Sequence, residues 1–282
     1  MSDVTDTTDG PAPDFSPDLA ASGRRGLLRT NWVGLCTIVR KETRRILRIW
    51  IQTLVPPAIT MTLYFVIFGT LIGRRIGEME GMPYISFIAP GLIMMSVITN
   101  SFANVVSSFF GAKLQLYLEE MLVSPLSAAT IVCGYMLGGM FRGLAVGALV
   151  TVVAMAFTSI QVAHPLITVS AAVLTAAIFS LCGLINAVFA RKFDDISIVP
   201  TFVLTPLTYL GGVFFSISLL PAFWQTVALA NPILYMVNAF RYGLLGVSDV
   251  PIAVSYALIL GMLSLAFGLS VWLLSRGVGI RH

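Results

Sequence analysis

Residues 85–125 read ISFIAPGLIMMSVITNSFANVVSSFFGAKLQLYLEEMLVSP. The first part, 85–110, is apolar or weakly polar and contains no charged side chain. A helix needs roughly 20 such residues to cross the hydrocarbon core of a bilayer. From Lys113 onward the pattern changes, because apolar residues alternate with polar ones and with Glu119 and Glu120, as in an amphipathic helix. The stretch therefore predicts a membrane span that leads into a short acidic helix.

The composition of the whole chain is that of a membrane protein. Of its 282 residues, 57% are hydrophobic and only 11% are charged, and the mean hydropathy is +0.91; a soluble domain carries about 25% charged residues. Because backbone groups cannot stay unpaired in lipid, apolar runs of this length must be helical. The sequence therefore predicts an all-α polytopic membrane protein with six transmembrane helices. The six runs, none of which contains Asp or Glu, are residues 51–73, 85–110, 130–158, 166–190, 197–217 and 252–274.

Lys and Arg are unevenly distributed between the two sides of these spans. Most of them precede the first span or follow the second, fourth and sixth spans. Because positive charges accumulate on the cytoplasmic side, we expect both termini in the cytoplasm and the chain in the cytoplasmic (inner) membrane of a bacterium. Residues 1–29, which are acidic with a basic end, are predicted to be a disordered tail, and 30–282 form the membrane domain. The basic belt favours contact with anionic membrane lipid over nucleic acid.

Residues 32–50 are predicted to form an amphipathic helix that lies in the membrane interface before the first span. Basic side chains recur on one face at spacings of three and four, and apolar side chains occupy the other face. The apolar face comprises Leu35, Val39, Ile46, Ile49 and Trp50. Such a helix either only anchors the topology or also contacts a cytoplasmic partner, and the sequence leaves both interpretations open.

Polar residues interrupt the second and third spans. A stripe in the second span repeats every four residues and so occupies one helical face; it either forms hydrogen bonds between helices or lines a substrate route. Its members are Ser96, Asn100, Asn104 and Ser108. In the third span, the charge of Arg142 is costly enough to indicate a function. Arg142 either extends to the interface, pairs with Glu119 or Glu120, or contacts substrate.

Two further features concern helix packing and the outer side of the protein. Glycines at four-residue steps in the third span predict close packing against another helix, within one subunit or across a dimer. They are Gly134, Gly138, Gly139, Gly143 and Gly147. Residues 218–250 are apolar but broken, which favours a re-entrant pair of short helices before the last span. This exit segment is marked by Pro221, Asn231, Pro232 and Arg241.

Together these features resemble the permease of a type-2 ABC exporter. The resemblance covers the chain from about residue 30 to the C-terminus. It rests on the six spans, on the basic helix before them, and on three short motifs whose order and spacing are characteristic in combination. The motifs are EEMLVSP at 119–125, PAFW at 221–224 and NPILYMVNAFR at 231–241.

The resemblance implies a division of labour between subunits. In this family the segment after the second span is a coupling helix that docks in a cleft of a separate ATP-hydrolysing subunit, which places Glu119, Glu120 and Met121 against that subunit. Asp194 and Asp195 would form a second, smaller contact. Family members usually work as two permeases with two ATPases, so a homodimer is expected. ATP and Mg²⁺ would be bound by the partner ATPase, and this chain would carry no cofactor.

The expected function is that of the permease subunit of an ATP-driven exporter. It would move an amphipathic or lipid-linked substrate outward, in the class of drugs, glycans or lipooligosaccharides. The chain has no Gly-x-x-x-x-Gly-Lys-Ser/Thr phosphate loop and only two histidines, so we expect no ATP hydrolysis, catalytic site or metal site on it. Two alternatives stay open: a proton-coupled secondary transporter, which normally needs an acid within a span, and a non-transporting membrane scaffold.

Overall fold

The computed structural model describes residues 17–279, with side chains from residue 27 onward. This part of the chain is almost entirely helical. One hairpin of two short antiparallel strands, β1 (Glu78–Met79) and β2 (Met82–Pro83), interrupts the helices. The helices are α1 (Pro17–Arg48), α2 (Trp50–Ile76), α3 (Tyr84–Leu114), α4 (Tyr117–Val123), α5 (Ala128–Met155), α6 (Pro165–Phe189), α7 (Asp195–Leu210), α8 (Ala222–Leu229), α9 (Pro232–Leu245) and α10 (Ile252–Arg276).

Five helices of the described chain, α2, α3, α5, α6 and α10, are long and apolar enough to cross a membrane. The sixth predicted span, 197–217, differs from the prediction. Its helix α7 is shorter than the roughly 20 residues that a span needs, because Gly211 follows its last residue and Gly212 has a left-handed backbone with a φ of 71°. The all-α membrane architecture therefore holds, and a complement of six spans stays a prediction.

Helix α3 forms the centre of the bundle. Of an 18-residue apolar stretch of α3, 83% is buried within the chain, against 11% of the corresponding stretch of α2. Helices α5 and α6 pack on both sides of α3, and α9 packs against α3 and α6. Most of the outward surface of α2 is thus left to contact other molecules.

The two ends of the bundle differ in what they carry. At one end, which we call the hairpin end, Ser86 is 2.7 Å from Thr158 and the His164 backbone N–H donates to the Gly243 carbonyl. The other end carries α4, and we call it the α4 end. There the Lys113 Nζ donates to the carbonyls of Val188 and Ala190, at 2.8 Å each, and so caps the last turn of α6.

Helix α1 runs alongside α5 in the same direction. Its buried face consists of Ile38, Glu42 and Ile46, spaced four residues apart. The observed buried face differs from the predicted apolar face, which shares Ile46 with it but also included Ile49 and Trp50, and both of these are exposed. Helix α1 also begins at Pro17, within the segment 1–29 for which the sequence predicts disorder; residues 1–16 of that segment lie outside the described residues.

Helices α8 and α9 occupy the broken segment before α10. Pro221 stands at the N-cap of α8, and Pro232 is the first residue of α9. Asn231 caps α9, because its Oδ1 accepts the Ile233 N–H at 3.0 Å while its Nδ2 donates to the Leu207 carbonyl at 2.6 Å. The amide thus joins the start of α9 to the last turn of α7. Re-entry of this helix pair into the membrane stays a prediction.

Candidate functional site

The α4 end presents an irregular, partly apolar surface built around α4. Helix α3 ends at Leu114, and Leu116 adopts a left-handed backbone with a φ of 62°, so α4 begins in a new direction. Leu118 is fully buried, whereas Glu119 and Glu120 are exposed. The sequence predicted one continuous amphipathic segment from Lys113. Leu116 divides it and turns the two glutamates toward solvent.

Exposed apolar side chains surround the two glutamates. They are Leu114, Leu116, Tyr117 and Val123, the last being 88% exposed. Met121 is partly buried against the core below α4. A surface of this composition, apolar with a few charges, is typical of a site for another protein.

Helix α1 contacts both the start of α4 and the start of α5. The Asn31 Oδ1 accepts hydrogen bonds from the Ser127 backbone N–H at 2.9 Å and from the Thr130 hydroxyl at 3.0 Å. Ser127 in turn caps the start of α5. Lys41 of α1 also lies over the Tyr117 ring of α4, with its Nζ 5.5 Å from the ring centroid. Helix α1 thus links α4 to the start of α5.

The second predicted contact lies at the same end of the bundle. Asp194 is exposed, but the Asp195 carboxylate accepts the backbone N–H groups of Arg191 and Lys192 at 2.8 and 3.0 Å. These hydrogen bonds, from Arg191 first, lower the pKa of the Asp195 carboxyl. Asp195 thus shapes its own loop, and Asp194 is the acid left available to a partner.

A cavity of about 570 Å³ separates the start of α4 from this loop. One wall comes from the end of α3, the other from the end of α6, and the C-terminal segment closes it. Its lining residues are Phe110, Lys113, Leu114, Leu116, Val188, Phe189, Arg191, Val278 and Gly279. The two predicted contacts thus stand on either side of one concave surface.

The polar stripe of α3 divides into two halves. Toward the hairpin end, the Ser96 hydroxyl and the Asn100 amide donate to carbonyls of their own helix. Toward the α4 end, Asn104 and Ser108 bond to α1. The Ser108 hydroxyl donates to Glu42 Oε1 at 2.5 Å, and the Asn104 Oδ1 accepts from Arg45 at 2.8 Å. Hydrogen bonds between helices, one of the two interpretations of the stripe, thus account for the half of the stripe toward the α4 end.

Glu42 is the functional candidate that the sequence reasoning missed. It is 1% exposed, pairs with Arg45 at 3.0 Å and packs against Gly138 of α5. The observation that no span contains an acid did not predict this, because Glu42 lies in the helix before the first span. Glu42 could have been found in the sequence by its four-residue spacing with Ile38 and Ile46, which marks a buried face.

Arg142 does not pair with Glu119 or Glu120. Among the side chains of residues 27–279, Arg142 forms no ion pair. The like charge of Arg45 acts on it electrostatically. Arg45 comes near Arg142 because of the register of α1 on α5. Glu42 packs against Gly138, so the next turn of α1 lies beside the next turn of α5, which carries Arg142.

The glycines of α5 contact other helices of the same chain. A methyl group added to Gly134 or Gly138 would meet Ile38 and Glu42 of α1. The remaining three contact α3 and α6 instead. In the same comparison Gly139 would meet Ser180 and Val105, Gly143 would meet Ser101 and the Val97 carbonyl, and Gly147 would meet the Val97 side chain. The glycine pattern therefore serves two faces of α5.

At the hairpin end Arg241 is buried within a second polar cluster. It is 1% exposed, bonds to the carbonyl of Gly212 and to Asp249 at 3.3 Å, and lies 4.1 Å from the centre of the Phe87 ring. Ser216 extends the cluster, since its hydroxyl lies 3.1 Å from Asp249 and 3.0 Å from Glu80 at the tip of the β-hairpin. The sequence singled out Arg241 but none of these acidic partners.

Comparison with known proteins agrees with this architecture. The family model described as "ABC-2 type transporter" matches residues 34–245. The chain belongs to the ABC-2 type transporter family. The match takes in α4, the glycine-rich α5 and the helix pair α8–α9. The chain is therefore similar to the family over both ends of the bundle.

Individual relatives of this ABC-2 permease agree with the family. The chain is 57% identical over 256 residues to the inner membrane transport permease YadH of Escherichia coli (strain K12). The aligned residues cover 90% of this chain and 100% of the relative. The chain is 27% identical over 215 residues to nodulation protein J of Rhizobium leguminosarum bv. trifolii, covering 76% of this chain and 82% of the relative. The protein is thus a multi-pass inner membrane permease subunit of an ABC transporter.

Proposed function

We propose that this ABC-2 permease is the membrane subunit of an ATP-driven exporter, powered by a separate ATPase that docks on α4. The observation that carries the proposal is the geometry of α4. A short helix stands between α3 and α5, is fixed by the buried Leu118, and presents Glu119 and Glu120 beside a concave surface. Met121 belongs to the same helix, and Asp194 follows in the chain after Arg191, which lines this surface. An ATPase seated there would bear on α1, α3 and α5 at once.

The distribution of charge supports a cytoplasmic α4 end. Lys113, Arg191 and Lys192 belong to this end, together with the basic residues of α1. Arg74 and Arg75 lie at the hairpin end. By the positive-inside bias the α4 end and both termini face the cytoplasm, where ATP is available. Movement of substrate from this side outward would then end at the hairpin end, beside α8 and α9.

An amphipathic or lipid-linked substrate, in the class of drugs, glycans or lipooligosaccharides, fits the character of the bundle. An apolar cavity of about 290 Å³ lies between α3, α5, α6 and α9. Ile93, Gly147, Ala172 and Phe240 are among the residues that line it. It can take an apolar chain, whereas the polar groups of the stripe lie nearer the cytoplasmic end. A large water-soluble ion would find few partners on this path.

Reversal of the two acidic charges on α4 tests the docking site. We expect Glu119→Lys/Glu120→Lys to weaken the complex with the ATPase at least about tenfold, because a like-charge pair across an interface costs several kcal/mol. ATPase activity stimulated by the permease should fall with it. The measurement is copurification with the candidate ATPase subunit, followed by ATP hydrolysis in proteoliposomes. The matched control is Glu78→Lys, an exposed acid at the opposite end.

The result for Glu78→Lys should equal that of the unmodified permease. If the double variant bound the ATPase and supported hydrolysis like the control, docking on α4 would be wrong. Substrate movement driven by a pH gradient without ATP would contradict the energy source itself.

We also propose that two copies of the permease assemble with two ATPases. Apolar side chains cover the outward face of α2, among them Ile59 and Leu63, which are each more than half exposed. A second copy and membrane lipid would share this face. Native mass spectrometry of the complex should give two permease chains per assembly. A mass with one permease chain would contradict the homodimer.

A further inference from the structure

The cluster around Glu42 holds more hydrogen-bond donors than acceptors. Both Glu42 oxygens are already used, one by Ser108 and the other by Arg45. Three buried nitrogen atoms have no acceptor within residues 27–279: the Arg45 Nε, the Asn104 Nδ2 and the Arg142 Nε. Buried donors in native proteins are nearly always paired. The described residues therefore leave three donors of this cluster without an acceptor.

The cluster also carries a net positive charge, so its charge and its unpaired donors both favour an anion. Arg45 and Arg142 contribute two positive charges, and Glu42, which pairs with Arg45, contributes one negative charge. Two guanidinium groups that repel each other gain most from an anion placed between them. Asn104 is 1% exposed, so its free amide is fixed in place by packing. A phosphodiester group, which only accepts hydrogen bonds, has the charge and the acceptors that these three donors lack.

The depth of the cluster identifies the level at which such a group would lie. Counting roughly 20 residues of helix from the hairpin ends of α3 and α5 places the opposite edge of the hydrocarbon core near residues 104 and 135. Gly139 and Gly143, on either side of Arg142, contact Val105 and Ser101, on either side of Asn104, and side chains on a helix lean toward its N-terminus. For α5 that direction is toward the α4 end. Arg142 and Asn104 can therefore meet at the headgroup boundary.

We propose that Arg45, Asn104 and Arg142 form a phosphate-binding site at the headgroup boundary of the α4 end. The phosphate of a lipid headgroup reaches this depth while its acyl chains stay in the hydrocarbon core. Exposed arginines of α1, such as Arg44, lie outside this cluster. The buried site differs from them because it offers an amide and two guanidinium groups whose nitrogen atoms lack acceptors among the described residues. This site does not depend on the ATPase partner.

Lipid titration of the purified permease tests the site. In detergent, native mass spectrometry should show a dioleoylphosphatidylglycerol molecule bound per chain, and dioleoylglycerol, which lacks the phosphate, should not bind there. Arg142→Gln should weaken the phospholipid at least about tenfold, since a hydrogen bond to a charged group of this kind is lost. Arg44→Gln, an exposed residue beside Arg45, is the matched control and should change the affinity less than twofold by the same reasoning.

The source of the phosphate and the fold are controlled separately. Excess inorganic phosphate should not displace the lipid. If inorganic phosphate displaced it from the unmodified chain but not from Arg142→Gln, the phosphate-binding site would stand and its ligand would be free phosphate. Because Arg142 has no ion pair, its replacement should leave the unfolding temperature unchanged. If it does not fold, Asn104→Asp provides the second variant, since it keeps the acceptor for Arg45 and replaces the free donor with a negative oxygen. Equal lipid binding by Arg142→Gln or Asn104→Asp and the unmodified chain would overturn the proposal.

Discussion

Arg241→Met should destabilise the permease by about 3–5 kcal/mol, the usual cost of removing one member of a buried ion pair. The guanidinium is enclosed by the Gly212 carbonyl, by Asp249 and by the face of the Phe87 ring. Methionine fills a similar volume but donates no hydrogen bond. The Asp249 carboxylate, whose side chain is only 11% exposed, would then lack its cation. The measurement is the free energy of unfolding in detergent.

Two controls separate the ion pair from a general effect of lost charge. Arg74→Met removes an exposed arginine at the same end, and its effect should stay within about 0.5 kcal/mol. The double variant Arg241→Met/Asp249→Asn should cost less than the sum of the two single variants, by about 0.5–3 kcal/mol. Additive losses, or a loss for Arg241→Met no larger than that for Arg74→Met, would show that the pair does not stabilise the hairpin end.

The pair also shows where inference from sequence ends. A charge at Arg241 within an apolar segment is visible in the sequence, but its burial, at 1% exposure, was not predicted from it. Its partner was not visible, because Asp249 reaches it only through the turn at Gly246, whose φ is 74°. Periodicity describes one helix at a time. Contacts that depend on a turn after the helix need the backbone geometry as well.

Hydropathy predicts five of the membrane spans but not the end of the helix in the run 197–217. Five predicted spans agree with helices within a few residues, since the length of an apolar run reflects the thickness of the bilayer. The run 197–217 is equally apolar, yet its helix ends at Leu210 because the pair Gly211–Gly212 allows the chain to turn. Hydropathy does not distinguish an apolar helix from an apolar turn.

For the candidate site, the sequence identified the exposed part better than the buried part. Glu119 and Glu120 were recognisable as an acidic patch after a span, and both are exposed. The cluster behind them was half recognised, because the stripe on α3 and Arg142 were noted while Glu42 was not. Residues in the basic helix were judged by its overall charge. The single acid among them, in line with Ile38 and Ile46, contradicted that description.

Gly183→Ala should destabilise the permease by about 1–3 kcal/mol, the usual cost of overpacking a well-packed core. A methyl group at this position of α6 would stand 2.5 Å from the backbone carbonyl oxygen of Phe102 in α3. A side chain can rotate away from such a contact, but a backbone carbonyl within a helix cannot. The two central helices would have to separate along their length. Thermal unfolding in detergent measures the loss.

The matched control is Gly268→Ala in α10, where an added methyl group meets no atom within 4 Å. The same substitution should there be neutral or stabilise the protein by up to about 1 kcal/mol, because alanine favours a helix over glycine. The sequence drew attention to the repeated glycines of α5 and passed over Gly183, which has no glycine four residues away. Equal effects at Gly183 and Gly268 would show that α3 and α6 tolerate separation, and that their close approach does not determine the stability of the bundle.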